Sequence, residues 1–138
     1  MPETTAKSTK IPQARKITPT LDPAVILDTV FEDGLLYITI QNILDRPAYR
    51  VSVKFHKPFF GNEGQKNITE LQIFKRIEYL APFKLIRIFI DTSEAFFQSK
   101  QSTRITGELT YTNADGTPFV SPVIHNINIY KDLTYHRT

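Results

Sequence analysis

The chain has 138 residues, of which 41% are apolar and 22% charged, with a formal net charge of +3. That fits one domain and is too apolar for a disordered chain. With no cysteine, disulfides, thiolate metal sites and cysteine nucleophiles are excluded together.

No apolar run approaches the roughly 18 residues of a membrane-spanning helix. No apolar stretch follows the basic residues of the N-terminus, so no secretory signal is read and a cytoplasmic location is expected. Residues 1–22 hold Lys7, Lys10, Arg15 and Lys16 against Glu3 and Asp22. The remainder is therefore close to neutral. A nucleic-acid surface needs a dense basic face to displace counterions from phosphates, so no nucleic-acid partner is expected.

Taken in order, residues 1–22 are polar, with Pro2, Pro12 and Pro19. Such a segment buries too little to offset its ordering entropy and reads as a flexible basic tail. Its alternative role is an arm that orders on a partner through its four basic residues. Residues 23–138 read as one β-sandwich domain.

Val25 to Phe31 is a first strand, followed by Asp33-Gly34, a pair suited to a two-residue hairpin because both positions need positive φ. Leu36 to Gln41 is the second strand, with Leu36, Ile38 and Ile40 on one face. After a polar loop come Tyr49, Val51, Val53 and Phe55, predicted on the inner face of a third strand. Pro58 to Gln65 is a loop carrying Phe59-Phe60.

Asn67 to Ile73 is predicted as a strand, and residues 67–80 as either one bulged strand or two short ones. Lys84 to Ile90 is a strand with Ile86, Ile88 and Ile90 inward. Leu85, Arg87 and Phe89 share its outer face. Asp91 to Lys100 is predicted to hold one helical turn capped by Thr92 or Ser93. Arg104 to Thr112 is a strand with Ile105, Leu109 and Tyr111 inward, closed by a second Asp-Gly turn at Asp115-Gly116. The last strand is predicted over Phe119 to Tyr130, where Pro122 implies an edge or a bulge, and 131–138 is a polar tail. About seven short strands with turns between them indicate an all-β, immunoglobulin-like or fibronectin-like antiparallel sandwich, without a helix longer than a turn.

Three stretches carry a resemblance. They are Ile38-Thr39-Ile40-Gln41-Asn42 leading to Arg46-Pro47-Ala48-Tyr49-Arg50-Val51-Ser52-Val53, then Ile77 to Phe83 with Leu80-Ala81-Pro82, then Leu109 to Gly116 with Tyr111 and Asp115-Gly116 at its end. In this order they resemble prokaryotic immunoglobulin-like domains of the CARDB type. The resemblance implies a sandwich that serves as an accessory or adhesion module without catalysis. Modules of that kind sit in long secreted chains, so the likeness speaks to the fold more than to a cell-surface role.

Candidate chemistry is sparse. His56, His125 and His136 are too dispersed for the three or four convergent ligands of a metal site, and His125 shares parity with the apolar Val123 and Ile127. The five glycines form neither a nucleophile elbow nor a phosphate loop. No enzyme, no metal and no cofactor is therefore expected. Asn67-Ile68-Thr69 fits a glycosylation sequon and reads as accidental.

The informative feature is the pairs Phe59-Phe60 and Phe96-Phe97. Neighbouring side chains on a strand point opposite ways, so burying both members is awkward. If 67–80 counts as one strand, both pairs meet at one end of the sandwich. They would plug that end, or form an aromatic docking patch. The expected function is a non-catalytic protein–protein interaction module, an accessory subunit docking through a strand edge (the first or the last strand), the aromatic end and the N-terminal arm. The alternatives are a carbohydrate- or lipid-binding sandwich and a surface adhesion module.

Overall fold

The computed structural model describes residues 24–135 of the chain. The predicted tail over 1–22, with Lys7, Lys10, Arg15 and Lys16, lies outside the described residues, as does His136.

Strand β1 (Val25–Glu32) turns through Asp33 and Gly34, at φ 53° and 81°, into β2 (Leu35–Asn42). This is the two-residue hairpin that the Asp-Gly pair predicts. β3 (Ala48–Phe55) follows, then a miniature hairpin of β4 (Phe60–Gly61) and β5 (Lys66–Asn67). Next come helical turns, β6 (Ile77–Leu80) and β7 (Leu85–Thr92). A six-residue helix, α2 in chain order (Ser93–Gln98), leads to β8 (Arg104–Thr112) and β9 (Pro118–Asn126).

All pairing is antiparallel. One sheet has the order β1-β2-β7 and the other β6-β3-β8-β9, with β4-β5 apart. The chain thus crosses between sheets after β2, after β6 and after β7. Leu36, Ile38, Ile40 and Ile90 of the first sheet share one buried cluster with Val51, Val53, Ile105, Leu109 and Val123 of the second. Each such side chain contributes about 1.5–3 kcal/mol by leaving water. The fold is the all-β antiparallel sandwich that the alternating strands indicate.

Four local expectations are corrected. Arg50 sits at φ 53°, and the β3–β8 register shifts between Tyr49 and Ser52. This bulge inserts one residue and reverses the phase. Ala48 and Val51 are consequently the buried pair, while Tyr49 turns outward and meets Tyr79 edge to face at 5.6 Å.

The strand predicted over Asn67 to Ile73 is a 3-10 turn (Ile68–Glu70) and a short helix α1 (Gln72–Lys75). The Asn67 side chain accepts from the Thr69 N–H and caps the turn, with Glu70 three residues on, which is a capping pattern. That engagement also gives the sequon residues a structural duty.

The last strand stops at Asn126 and a 3-10 segment (Ile127–Tyr135) follows. The Asn126 side-chain oxygen takes the Asn128 N–H and the Thr103 hydroxyl, which turns the chain out of the ladder. Finally, α2 exceeds one turn of 3.6 residues. Its cap is Thr92, one of the two residues expected, accepting from the Ala95 N–H at 3.1 Å.

Gly107 shows why β8 carries a residue without a side chain. A Cβ there would stand 2.2 Å from the Lys54 carbonyl oxygen of β3. The Asn113–Gly116 turn differs from the first hairpin: only Gly116 has positive φ, and Asn113 Oδ1 accepts the N–H groups of Asp115 and Thr117.

Candidate functional site

The two Phe pairs do gather at one end, where β3 and β7 finish. The Gln101 side chain clasps the Phe60 backbone there, accepting its N–H at 2.9 Å and donating to its carbonyl at 2.8 Å. Gly61 lies so close to β7 that a Cβ would fall 2.0 Å from the Ile90 oxygen. Asn62 donates its N–H to that same oxygen.

Each pair splits. Phe59 and Phe96 are core residues, 4% and 1% exposed, whereas Phe60 is exposed and Phe97 half-buried. Phe59 meets Phe55 edge to face at 5.3 Å, and Phe55 meets Phe74 at 4.9 Å. Of the four rings singled out for docking, two therefore belong to the interior. Only Phe60 and Phe97 offer surface.

Of the two strand edges expected to dock, that of β1 is engaged and that of β9 is interrupted by prolines. In an antiparallel pair, residues alternate between exchanging both hydrogen bonds and exchanging none. Ile43 donates its N–H to the Ala24 carbonyl, so positions 25, 27, 29 and 31 of β1 turn their backbone N–H and C=O groups to the open edge of the sheet. His125 Nε2 lies 2.9 Å from the Leu27 carbonyl, and the Tyr130 hydroxyl donates to the Thr29 carbonyl at 2.7 Å. The Asp28 carboxylate accepts the Thr29 N–H. Phe31 stacks on Tyr130 at 6.0 Å. His125 is thus a half-buried, hydrogen-bonded residue closing an edge.

On β9 the bonds Ile127 N–H to Thr103 and Asn113 N–H to Thr117 place the odd positions toward β8. Pro118 and Pro122 occupy outward-facing even positions and bring no N–H, which blunts that edge.

The opposite end of the sandwich exposes large apolar residues that were not singled out from the sequence. Leu85 lies opposite Gln41, and Gln41 opposite Ile26. One step outward, Phe83 donates its N–H to the Leu44 carbonyl, while Asn42 donates to Lys84. Positions 43 and 83 are thereby adjacent. Ile26, Ile43, Phe83 and Leu85 are all exposed, Phe83 most of these at 64%.

Phe83 sits at φ 60°. The Lys84 N–H donates to the Ala81 carbonyl, so Ala81-Pro82-Phe83-Lys84 is a turn with proline at its second position and positive φ at its third. That is a type II turn, whose third position favours glycine or asparagine. A bulky side chain there costs on the order of 1 kcal/mol.

Asn42 holds this end together. Fully buried, it donates from Nδ2 to the carbonyls of Arg46, Leu80 and Ala81, and its Oδ1 accepts the Leu44 N–H at 3.0 Å. The loop that carries Ile43 and the turn that carries Phe83 are joined through one side chain.

Beside them is a cleft of about 400 Å³ lined by Leu44, Pro47, Ala48, Tyr111 and Phe119. Tyr111 and Phe119 stack at 5.0 Å, and the Tyr111 hydroxyl accepts the Ala24 N–H. His56, on an exposed position, is 3.1 Å from the Thr106 hydroxyl. Among the described residues no three His, Cys, Asp or Glu side chains converge as metal ligands, and no helix is long and apolar enough to cross a membrane.

Over residues 4–131 the chain matches the model of a domain of unknown function, DUF8453. The chain belongs to this family. No curated protein and no solved structure matches it. The DUF8453 match covers both sheets, α2 and the start of the 3-10 segment, and it also takes in residues 4–23 ahead of β1.

The turn at Phe83 had one legible signal. Pro82 suits the second position of a turn, and the residue that takes the position favouring glycine is a phenylalanine.

Proposed function

We propose that the chain is a non-catalytic protein–protein interaction module that docks a partner on the apolar end formed by Ile26, Ile43 and Phe83, with Leu85 at its border. The observation that carries this reading is Phe83, a large apolar side chain held in solvent by a backbone conformation that disfavours it. Contiguous exposed apolar surface marks interaction sites on folded proteins, and strained residues persist where function retains them. Asn42 supports the reading by fixing the two loops rigidly, which lowers the ordering cost of binding.

The partner contacts are thereby moved from the Phe59/Phe96 end, where two of four rings are interior, to the other end of the molecule. The N-terminal basic residues remain part of the proposal as an arm that starts beside this end, since Ala24 bonds Ile43.

Affinity capture with the full chain, run in parallel for wild type, F83N, I43S and F60S, tests it. A protein retained by wild type and F60S and lost with F83N and I43S supports the reading. The same set captured by wild type and F83N overturns it.

A second reading, a lipid-binding sandwich, draws on the cleft beside Tyr111 and Phe119. Its volume falls within the range of small-molecule sites. The Tyr111 ring is buried, which disfavours sugar stacking and leaves an apolar ligand as the form of this reading. An apolar dye that binds the native wild type and is excluded by A114W, on the exposed rim of the cleft, would favour it over the first.

A further inference from the structure

The cleft beside Tyr111 and Phe119 fits the segment of this chain that leads into β1. We propose that Leu21 seats in that cleft and anchors the N-terminal arm to the sandwich. The cleft then has an occupant from within the chain. This goes beyond the interaction-module reading, because such a seat needs no partner.

The chain enters the sandwich at the cleft itself. Ala24 is the first described residue and one of those that line the cleft. Its carbonyl accepts the Ile43 N–H, which fixes it to the first sheet. Its own N–H donates to the Tyr111 hydroxyl of the second sheet at 2.8 Å, in a buried bond. The peptide joining residues 23 and 24 is thereby aimed at the cleft, not over the outer face of the first sheet. The DUF8453 match points to the same segment, since it starts at residue 4 and so includes the residues ahead of β1 in the unit the family shares.

Proline and reach decide which residue arrives there. Pro23 fixes its own φ at about −65° and restricts Asp22 to extended conformations, and Pro19 restricts Thr18 in the same way. A polyproline II path repeats every three residues, so Leu21 returns to the side on which Ala24 meets the cleft. Three residues span about 10 Å when extended. That is enough to cross a cleft of about 400 Å³.

The chemistry of the two surfaces matches. Leu44, Pro47, Ala48 and Phe119 give the cleft apolar walls, and Leu21 is the large aliphatic residue nearest to Ala24 on its N-terminal side. Arg46 also lines the cleft and is highly exposed, with the equally exposed Asp45 carboxylate 3.7 Å from its Nε. Asp22, next to Leu21, brings a further negative charge to it. A side chain on so short a tether acts as if present at about millimolar concentration. It therefore enters ahead of a dilute free ligand of the same apolar character.

Methyl NMR of the full chain with labelled leucine tests the seat. The Leu21 methyl resonances, assigned by their loss in L21V, are expected to be shifted by the Tyr111 and Phe119 rings and to show nuclear Overhauser effects to them. L21S is expected to open the cleft and raise its affinity for the apolar probe anilinonaphthalene sulfonate about tenfold or more. Adding A114W on the rim is expected to remove that gain. Leu21 methyls at random-coil positions without ring contacts overturn the inference, as does a wild type that takes up the probe as well as L21S. Failure here leaves the partner surface at Phe83 untouched, because F83N and I43S probe that surface separately.

Discussion

The two ends of the sandwich handle their aromatic residues in opposite ways. Where β3 and β7 finish, Phe59, Phe74 and Phe96 are drawn into the core, and the rings left outside are few. Where β3 and β7 begin, Phe83 is held out in solvent on a left-handed turn, beside Ile43 and Ile26. The first end spends its aromatics on stability. The second spends stability on display. A sandwich has little choice about closing its ends, so the end that leaves apolar groups uncovered is the informative one.

The closed end carries the greatest cost. Phe96→Ala removes a ring that is almost fully buried, and its cost is expected at about 3–5 kcal/mol in urea unfolding. A cost below about 1 kcal/mol would mean that the helix α2 and its ring are not part of the core. Partner capture is expected to survive at temperatures where the variant remains folded.

Next in size is Asn42→Ala at the displaying end. It removes the donor to the Arg46 and Leu80 carbonyls and the acceptor of the Leu44 N–H, while the Ala81 carbonyl keeps the Lys84 N–H, a loss of about 2–4 kcal/mol. Because Asn42 ties the Ile43 loop to the Phe83 turn, this variant is expected to weaken partner capture too, in contrast to Phe96→Ala. Measuring both properties on both variants separates a tie from a plug.

A smaller effect belongs to the closed edge of β1. Tyr130→Phe keeps the ring that stacks on Phe31 and removes only the hydroxyl that donates to the Thr29 carbonyl. The expected loss is about 1 kcal/mol in the same unfolding assay. An unchanged stability would show that this edge is not held by the hydroxyl.

Much of the fold was legible because local chemistry and global pairing agreed. Asp33-Gly34 demanded positive φ at two positions and received it, and Ile86, Ile88 and Ile90 alternated inward without interruption. Arg50 was not legible. A bulge on a non-glycine residue leaves no mark in the pattern, so Tyr49 was placed on the wrong face. The 67–75 segment misled through Leu71 and Ile73, which share strand parity, while the capping pair Asn67 and Glu70 carried the opposite message.

The end of β9 was decided by Asn126, whose side chain turns the backbone toward a stacking contact at Phe31 that only the folded molecule brings near. The candidate site was the least legible part. Phe59-Phe60 and Phe96-Phe97 drew notice as pairs, yet a pair on a folded surface must divide between interior and exterior. Phe83 stands alone in sequence, and its exposure comes from Pro82, Asn42 and the pairing of β2 with β7.

The smallest expected effect is the most direct test of the claim that one end sacrifices stability for display. Urea unfolding of F83N against wild type measures it, since asparagine accepts the left-handed backbone that phenylalanine resists. F83N is expected to be more stable than wild type by about 0.5–1 kcal/mol. A variant less stable by about 1 kcal/mol or more would show that Phe83 is packed rather than displayed, and would contradict it.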